Sequence, residues 1–120
     1  MPAIAIVGAS ANPAKFGNKA VRAYLRRGWT VYPINPREQE IEGLPVLRSA
    51  RELPAGVGTA SLYLQPELVP AVLEDLAAVG VGEVYLNPGT ESDEAVAKAE
   101  ELGLRAIVAC SIIAASELPH

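Results

Sequence analysis

Gly8-Ala9-Ser10 follows the apolar run AIAIV at residues 3–7, and Lys15 precedes Phe16, Gly17 and Asn18. These residue types at this spacing suit the holding of an anion rather than the making or breaking of a bond. Gly8 and Ala9 let backbone approach a ligand closely, Ser10 brings a hydroxyl, and Lys15 brings a full positive charge. A helix restarting near Gly17 aims its unpaired N–H groups, and the positive end of its dipole, into the same space. Together these features read as a phosphate site; a lone glycine there would be ordinary β–α turn geometry. The dinucleotide fingerprint needs glycines at 8, 10 and 13, and the chain has Gly8, Ser10 and Pro13. A Walker A loop is absent, since no Gly-Lys-Ser/Thr follows. A nucleophile elbow is absent too: position 12 is Asn, and no internal histidine could activate Ser10.

Other residues share that chemistry. An NAD site wants a carboxylate after its second strand to accept from the ribose 2′-hydroxyl. The chain has Asn35-Pro36-Arg37 instead. Arg37 reads either as a partner for a phosphate on a ribose, as in NADP or coenzyme A, or as a solvated surface charge. Pro36 is a turn residue whose ring could also pack on an adenine. Gln65-Pro66 and Asn87-Pro88-Gly89-Thr90 are candidate rim loops, with loop punctuation ahead of a helix as the plainer reading of both. Cys110 is the one cysteine, expected to pack, with a reactive thiol as the second reading. Metal chemistry is not expected, because His120 is the only histidine and Cys110 has no cysteine partner.

These residues need elements to position them, and the chain alternates strand and helix patterns. Strands are expected at 3–7, 29–35, 44–47, 59–64, 83–87 and 104–109. Helices are expected at 18–27, with Val21, Tyr24 and Leu25 on one face, at 67–79, and at 91–102, with a brief helical turn near 49–53. The tail 111–118 reads as a helical turn or a loop. Strands apolar throughout, alternating with helices, indicate an α/β fold with a mainly parallel sheet covered on both faces. Such sheets bind ligands outside the carboxyl ends of their strands, where strand order reverses. The loops 8–17, 35–38, 65–66 and 87–90 lie at those ends.

Composition bounds the function. One hundred and twenty residues, half hydrophobic and a fifth charged, suit one globular domain over 1–120. A net charge of −4 argues against a nucleic-acid partner. No stretch approaches the roughly 18 apolar residues of a membrane span, and no secretory signal pattern opens the chain. The single cysteine fits a reducing cytoplasm.

The segment VGASANPAKFGNKAVRAYLRRGWTVYPINP, followed by EIEGLPVLRSARELP, resembles the small stand-alone CoA-binding proteins. These are related to the CoA-binding domain of the succinyl-CoA synthetase alpha subunit. The resemblance runs over nearly the whole chain and is most specific in residues 7–54. It implies a Rossmann-like fold, with a sheet of five to six strands and helices on both faces, that binds coenzyme A at its carboxyl edge. It implies that Gly8, Ala9, Ser10 and Lys15–Asn18 hold the pyrophosphate, and that Asn35, Pro36 and Arg37 lie near the adenosine and its phosphate. By the same analogy Gln65, Pro66, Asn87, Pro88 and Gly89 lie along the ligand. The family carries Phe-Arg, Trp-x-Gln-x-Gly and Asp-Arg-Cys at its last three strand ends. This chain has Tyr63-Leu64-Gln65, Tyr85-Leu86-Asn87-Pro88-Gly89 and Ala109-Cys110-Ser111 there. The pantetheine side therefore departs from the family pattern, and the adenosine-diphosphate side keeps it. The synthetase's active-site histidine has no counterpart here, so ligase chemistry is not expected. The expected function is non-catalytic binding of coenzyme A or an acyl-CoA, as carrier, sensor or CoA-presenting subunit, with a protein partner or a homo-oligomer possible. The rivals are an NADP-binding oxidoreductase-type domain and a ligand-free interaction module that keeps the fold.

Overall fold

Ile4 and Ile6 leave the first strand on one side and Ala5 and Val7 on the other, and all four are at most 5% exposed. A strand apolar on both faces must be covered on both faces, and the structure covers it. The structure, a computed structural model, describes residues 2–116. Its main sheet has five strands: β1 (Ala3–Val7), β2 (Thr30–Ile34), β5 (Thr59–Leu62), β6 (Glu83–Leu86) and β7 (Arg105–Val108). They pair in the order β2-β1-β5-β6-β7, every pair parallel. One face packs Ala5, Val7, Ala60, Leu62, Val84 and Leu86 against α2 (Val69–Ala78) and α3 (Asp93–Glu101). The other packs Ile4, Ile6 and Val31 against α1 (Phe16–Arg26) and α4 (Ser111–Ser116). This is the Rossmann-like α/β architecture.

The main departure from the sequence reading is at 44–47. Leu44–Pro45 (β4) pairs antiparallel with Glu40–Ile41 (β3), outside the main sheet. Glu42 and Gly43 form the connecting turn, both at positive φ (51° and 77°), as a two-residue hairpin requires. Pro45 has no N–H for an interior ladder, which confines its segment to an edge. Only Leu47 reaches the main sheet, through a single parallel bridge to Ile34. The hairpin still serves the core: Ile41 is 1% exposed and packs in the α1 cluster. Among the other elements, a 3-10 turn at Pro66–Leu68 precedes α2, and another spans Ala50–Glu52. The tail is helical at 111–116; residues 117–118 and His120 lie outside the described residues. No helix among the described residues is long and apolar enough to cross a membrane.

The strand order fixes where a ligand can go. From β1 the chain moves out to β2, then returns past β1 to β5. The connections leaving β1 and β5 therefore go to opposite sides of the sheet, and a crevice opens between their carboxyl ends.

Candidate functional site

A cleft of about 650 Å³ occupies that crevice. Gly8, Ala9 and Ser10 leave β1 into it, and Lys15, Phe16 and Gly17 bring in the first turn of α1. Tyr63, Leu64, Gln65 and Pro66 after β5 form the opposite wall, Pro88, Gly89 and Thr90 after β6 form one end, and Asn35 closes another side. Lys15 carries the only formal charge among the described residues that line it, in a chain of net charge −4.

The two glycines bring these segments together. Gly8 sits at φ +84°, and a Cβ there would run into the carbonyl oxygen of Tyr63. A Cβ on Gly17 would run into the carbonyl of Gly8 and lie 3.2 Å from the Cα of Ala9. The sequence reading gave Gly8 to the ligand's close approach. The structure adds a different need, the close approach of the chain's own backbone to β5.

The loop between them is internally braced. Ser10 Oγ accepts from the Asn12 N–H at 3.1 Å, and Asn12 Oδ1 accepts from the Ala14 N–H at 3.0 Å. Arg22 donates to the Pro13 carbonyl at 3.0 Å and to Asn18 Oδ1 at 2.8 Å. Asn18 Nδ2 donates to the Ser10 carbonyl at 2.9 Å and to Glu42 Oε2 at 3.2 Å. By contrast the start of α1 has no side-chain cap, and its Asn18 N–H turns back to the Lys15 carbonyl at 3.1 Å. Lys15 occupies the N-cap in extended backbone with no side-chain cap, and the first turn has no acidic residue. α3 begins with the Ser92 hydroxyl accepting from the Ala95 N–H, and Asp93 and Glu94 follow. The uncapped start leaves the N–H groups of Phe16 and Gly17 to an incoming anion.

Four residues named from the sequence stand outside the cleft lining. Asn18 is fully buried and spends its amide on the loop. Asn87 is 1% exposed, because its amide closes a network across the strand ends. It donates to Ser61 Oγ (2.8 Å) and the Leu62 carbonyl (2.9 Å), and accepts from the Ser111 N–H (2.8 Å). Pro36 lines a separate apolar cavity of about 300 Å³. Arg37 is exposed and lines neither cavity; its N–H is held by Asn35 Oδ1 at 2.7 Å. Asn35 itself both lines the cleft and braces it, donating to the Ala9 carbonyl at 2.8 Å.

From the sequence no role falls to the hydroxyls of Ser61, Tyr63 and Ser111 behind the cleft wall. Ser61 and Ser111 share a 2.6 Å hydrogen bond, and Tyr63 OH lies 2.9 Å from Ser111 Oγ. Thr90 Oγ1 donates to the Leu62 and Leu64 carbonyls at 3.2 and 3.1 Å. Burial pushes the Tyr63 phenol above its ordinary value, against the hydrogen bonds to Ser111 and Ser61. It is therefore a neutral hydrogen-bonding group at neutral pH. The available signal was Ser61, a polar residue inside the apolar run TASLYL. Beside the network, a pocket of about 80 Å³ is lined by Phe16, Tyr63, Asn87, Pro88 and Cys110, the last a free, half-buried thiol.

Known proteins share both the sequence and the fold. The family described as "CoA binding domain" matches residues 2–116. The alpha subunit of an ADP-forming acetate–CoA ligase II from Pyrococcus furiosus is 32% identical over 115 residues, 87% of this chain and 25% of that subunit. The chain thus spans about a quarter of that curated relative. Among solved structures, a conserved hypothetical protein from Pyrococcus furiosus superposes with a TM-score of 0.88 at 36% identity, covering 95% of this chain and 99% of that one. A dinucleotide-forming acetyl-coenzyme A synthetase from Ca. Korarchaeum cryptofilum, solved with phosphate and ADP, superposes at 0.79 with 32% identity, over 89% of this chain and 25% of that one. With the matching span, the parallel sheet and the cleft at its switch point together, this chain belongs to the CoA-binding domain family.

Proposed function

We propose that the cleft binds coenzyme A, free or acylated, and that the protein carries, senses or presents it without acting on its bonds. The pyrophosphate is assigned to Gly8–Ser10 and the first turn of α1, with Lys15 opposite its charge. The adenosine is assigned to the side of Asn35 and Pro36. The pantetheine arm is assigned to the path past Gln65, Pro66, Pro88 and Gly89, ending near Asn87.

The uncapped start of α1 carries this reading. A helix dipole, its spare N–H groups and one lysine converge on a switch-point cleft whose described lining has no carboxylate. That lining also has no histidine or cysteine, and its one phenol is held neutral, which supports binding over proton transfer or nucleophilic attack. The membership of the family, and a relative named as an acetate–CoA ligase subunit, support CoA over other phosphate ligands.

Native mass spectrometry tests the reading. The protein incubated with equimolar CoA, NADP and ATP should carry one CoA per chain. A dominant NADP adduct would favour the oxidoreductase-type rival, and no adduct at all would favour the interaction module.

A further inference from the structure

Behind Gly8, on the α2 side, lies the apolar cavity of about 300 Å³, walled by Ile34, Pro36, Leu64, Leu68 and Val72. It shares Gly8 and Leu64 with the main cleft, so the two lie side by side. A slot of apolar side chains takes a flat heteroaromatic ring well. A ring seated there would direct its ribose toward Gly8, and a phosphate on that ribose toward the slot's polar rim.

That rim holds Arg48, Ser49 and Asp75. Asp75 is neutralised by Arg51, whose Nε lies 2.7 Å from its carboxylate. The Ser49 hydroxyl accepts from the Arg51 N–H and caps the turn at Ala50–Glu52. Arg48 differs from both. Its backbone is anchored, the N–H donating to Glu52 Oε1 at 2.6 Å, while its guanidinium has no hydrogen-bond or ion-pair partner among the described residues. An anchored stem with an uncommitted guanidinium is a ready phosphate partner. Arg37, the residue that follows β2, lines neither cavity.

We infer that Arg48, rather than Arg37, is the specificity-determining cation that reads the ribose 3′-phosphate of CoA. The inference rests on the CoA reading of the cleft. Calorimetric titration of wild type, Arg48→Gln, Arg37→Gln and Arg48→Lys with CoA and with dephospho-CoA, at one ionic strength, tests it. Arg48 is exposed and its hydrogen bond is through the backbone, so the substitutions leave the fold intact; circular dichroism checks this. Wild type should prefer CoA by roughly ten- to a hundredfold, the ratio that one charge-assisted hydrogen bond supports. Arg48→Gln should bring that ratio to about one to threefold while leaving dephospho-CoA affinity within about twofold. Arg48→Lys should keep an intermediate preference, and Arg37→Gln the full one. A preference that survives Arg48→Gln, or disappears in Arg37→Gln, overturns the inference. So does a wild type that binds both ligands equally, which leaves the CoA reading standing. A wild type that binds neither ligand overturns both.

Discussion

Lys15 supplies the one formal charge among the described residues that line the cleft, and its loss should be felt in two ways. Lys15→Ala should weaken CoA binding by about tenfold, the scale of one charge-assisted contact. It should also flatten the salt dependence of binding, because a screened charge has been removed. Titrations at two ionic strengths check both. Ser10→Ala should cost less, about 0.5–1.5 kcal/mol in binding, and Ser10 also loses its role as acceptor for the Asn12 N–H. At this scale much of the cleft was legible. Glycine, serine, lysine and the helix start announce themselves by type and order. Asn18 and Asn87 were harder, because an asparagine reads the same whether it meets a ligand or braces a loop. Only the three-dimensional partners distinguish the two roles: Ser10 and Arg22 for Asn18, Ser61 and Ser111 for Asn87.

The junction of β1 with α1 is the element on which the site depends. Gly17 has no room for even a methyl group against the Gly8 carbonyl. Gly17→Ala should therefore push the start of α1 away from β1, costing about 1–3 kcal/mol of stability and weakening CoA binding with it. Denaturant unfolding and calorimetry on the same variant check the pair of effects. Gly8→Val, which looks from sequence like a clean block of the ligand, should fail first as a folding lesion. It combines a positive φ with a collision against Tyr63. Element type was well marked by period and punctuation, and the helices 18–27, 67–79 and 91–102 overlap α1, α2 and α3. The segment 44–47 was not, because four apolar residues, Leu44-Pro45-Val46-Leu47, look the same in a sheet edge and in a short hairpin. Glu42-Gly43 was the turn signal, weaker than the Asn-Gly pair that usually marks such a turn.

Across the whole molecule, strand alternation gave the parallel sheet, but the order β2-β1-β5-β6-β7 is written in long-range pairings that no local window contains. The same long-range packing sets the response to alkali. Burial raises Tyr24, Tyr63 and Tyr85 above the ordinary tyrosine value of about 10. The unfolded chain therefore loses these protons first as pH rises. The stability they contribute is full below about pH 10 and drains away above it, toward the higher folded values. Tyr24 donates to the Ser111 carbonyl at 2.9 Å and meets Trp29 edge-on at 5.0 Å. Tyr24→Phe should cost about 0.5–1.5 kcal/mol at neutral pH, for the lost buried hydrogen bond, and should make the decline above pH 10 shallower. Urea unfolding at pH 7, 9 and 11 checks it.

Whether the switch-point cleft is a CoA site is read from ligand binding to the whole chain. Isothermal titration of the wild-type protein with CoA, NADP and NAD, at one pH and ionic strength, measures it. One CoA should bind per chain with a Kd in the micromolar range or tighter, and NAD far more weakly, because Asn35-Pro36-Arg37 rather than a carboxylate stands at the end of β2. CoA at about 100 times its Kd should then raise unfolding stability by about 2.7 kcal/mol. Binding of NAD or NADP as tight as that of CoA would show that the cleft is not a CoA site.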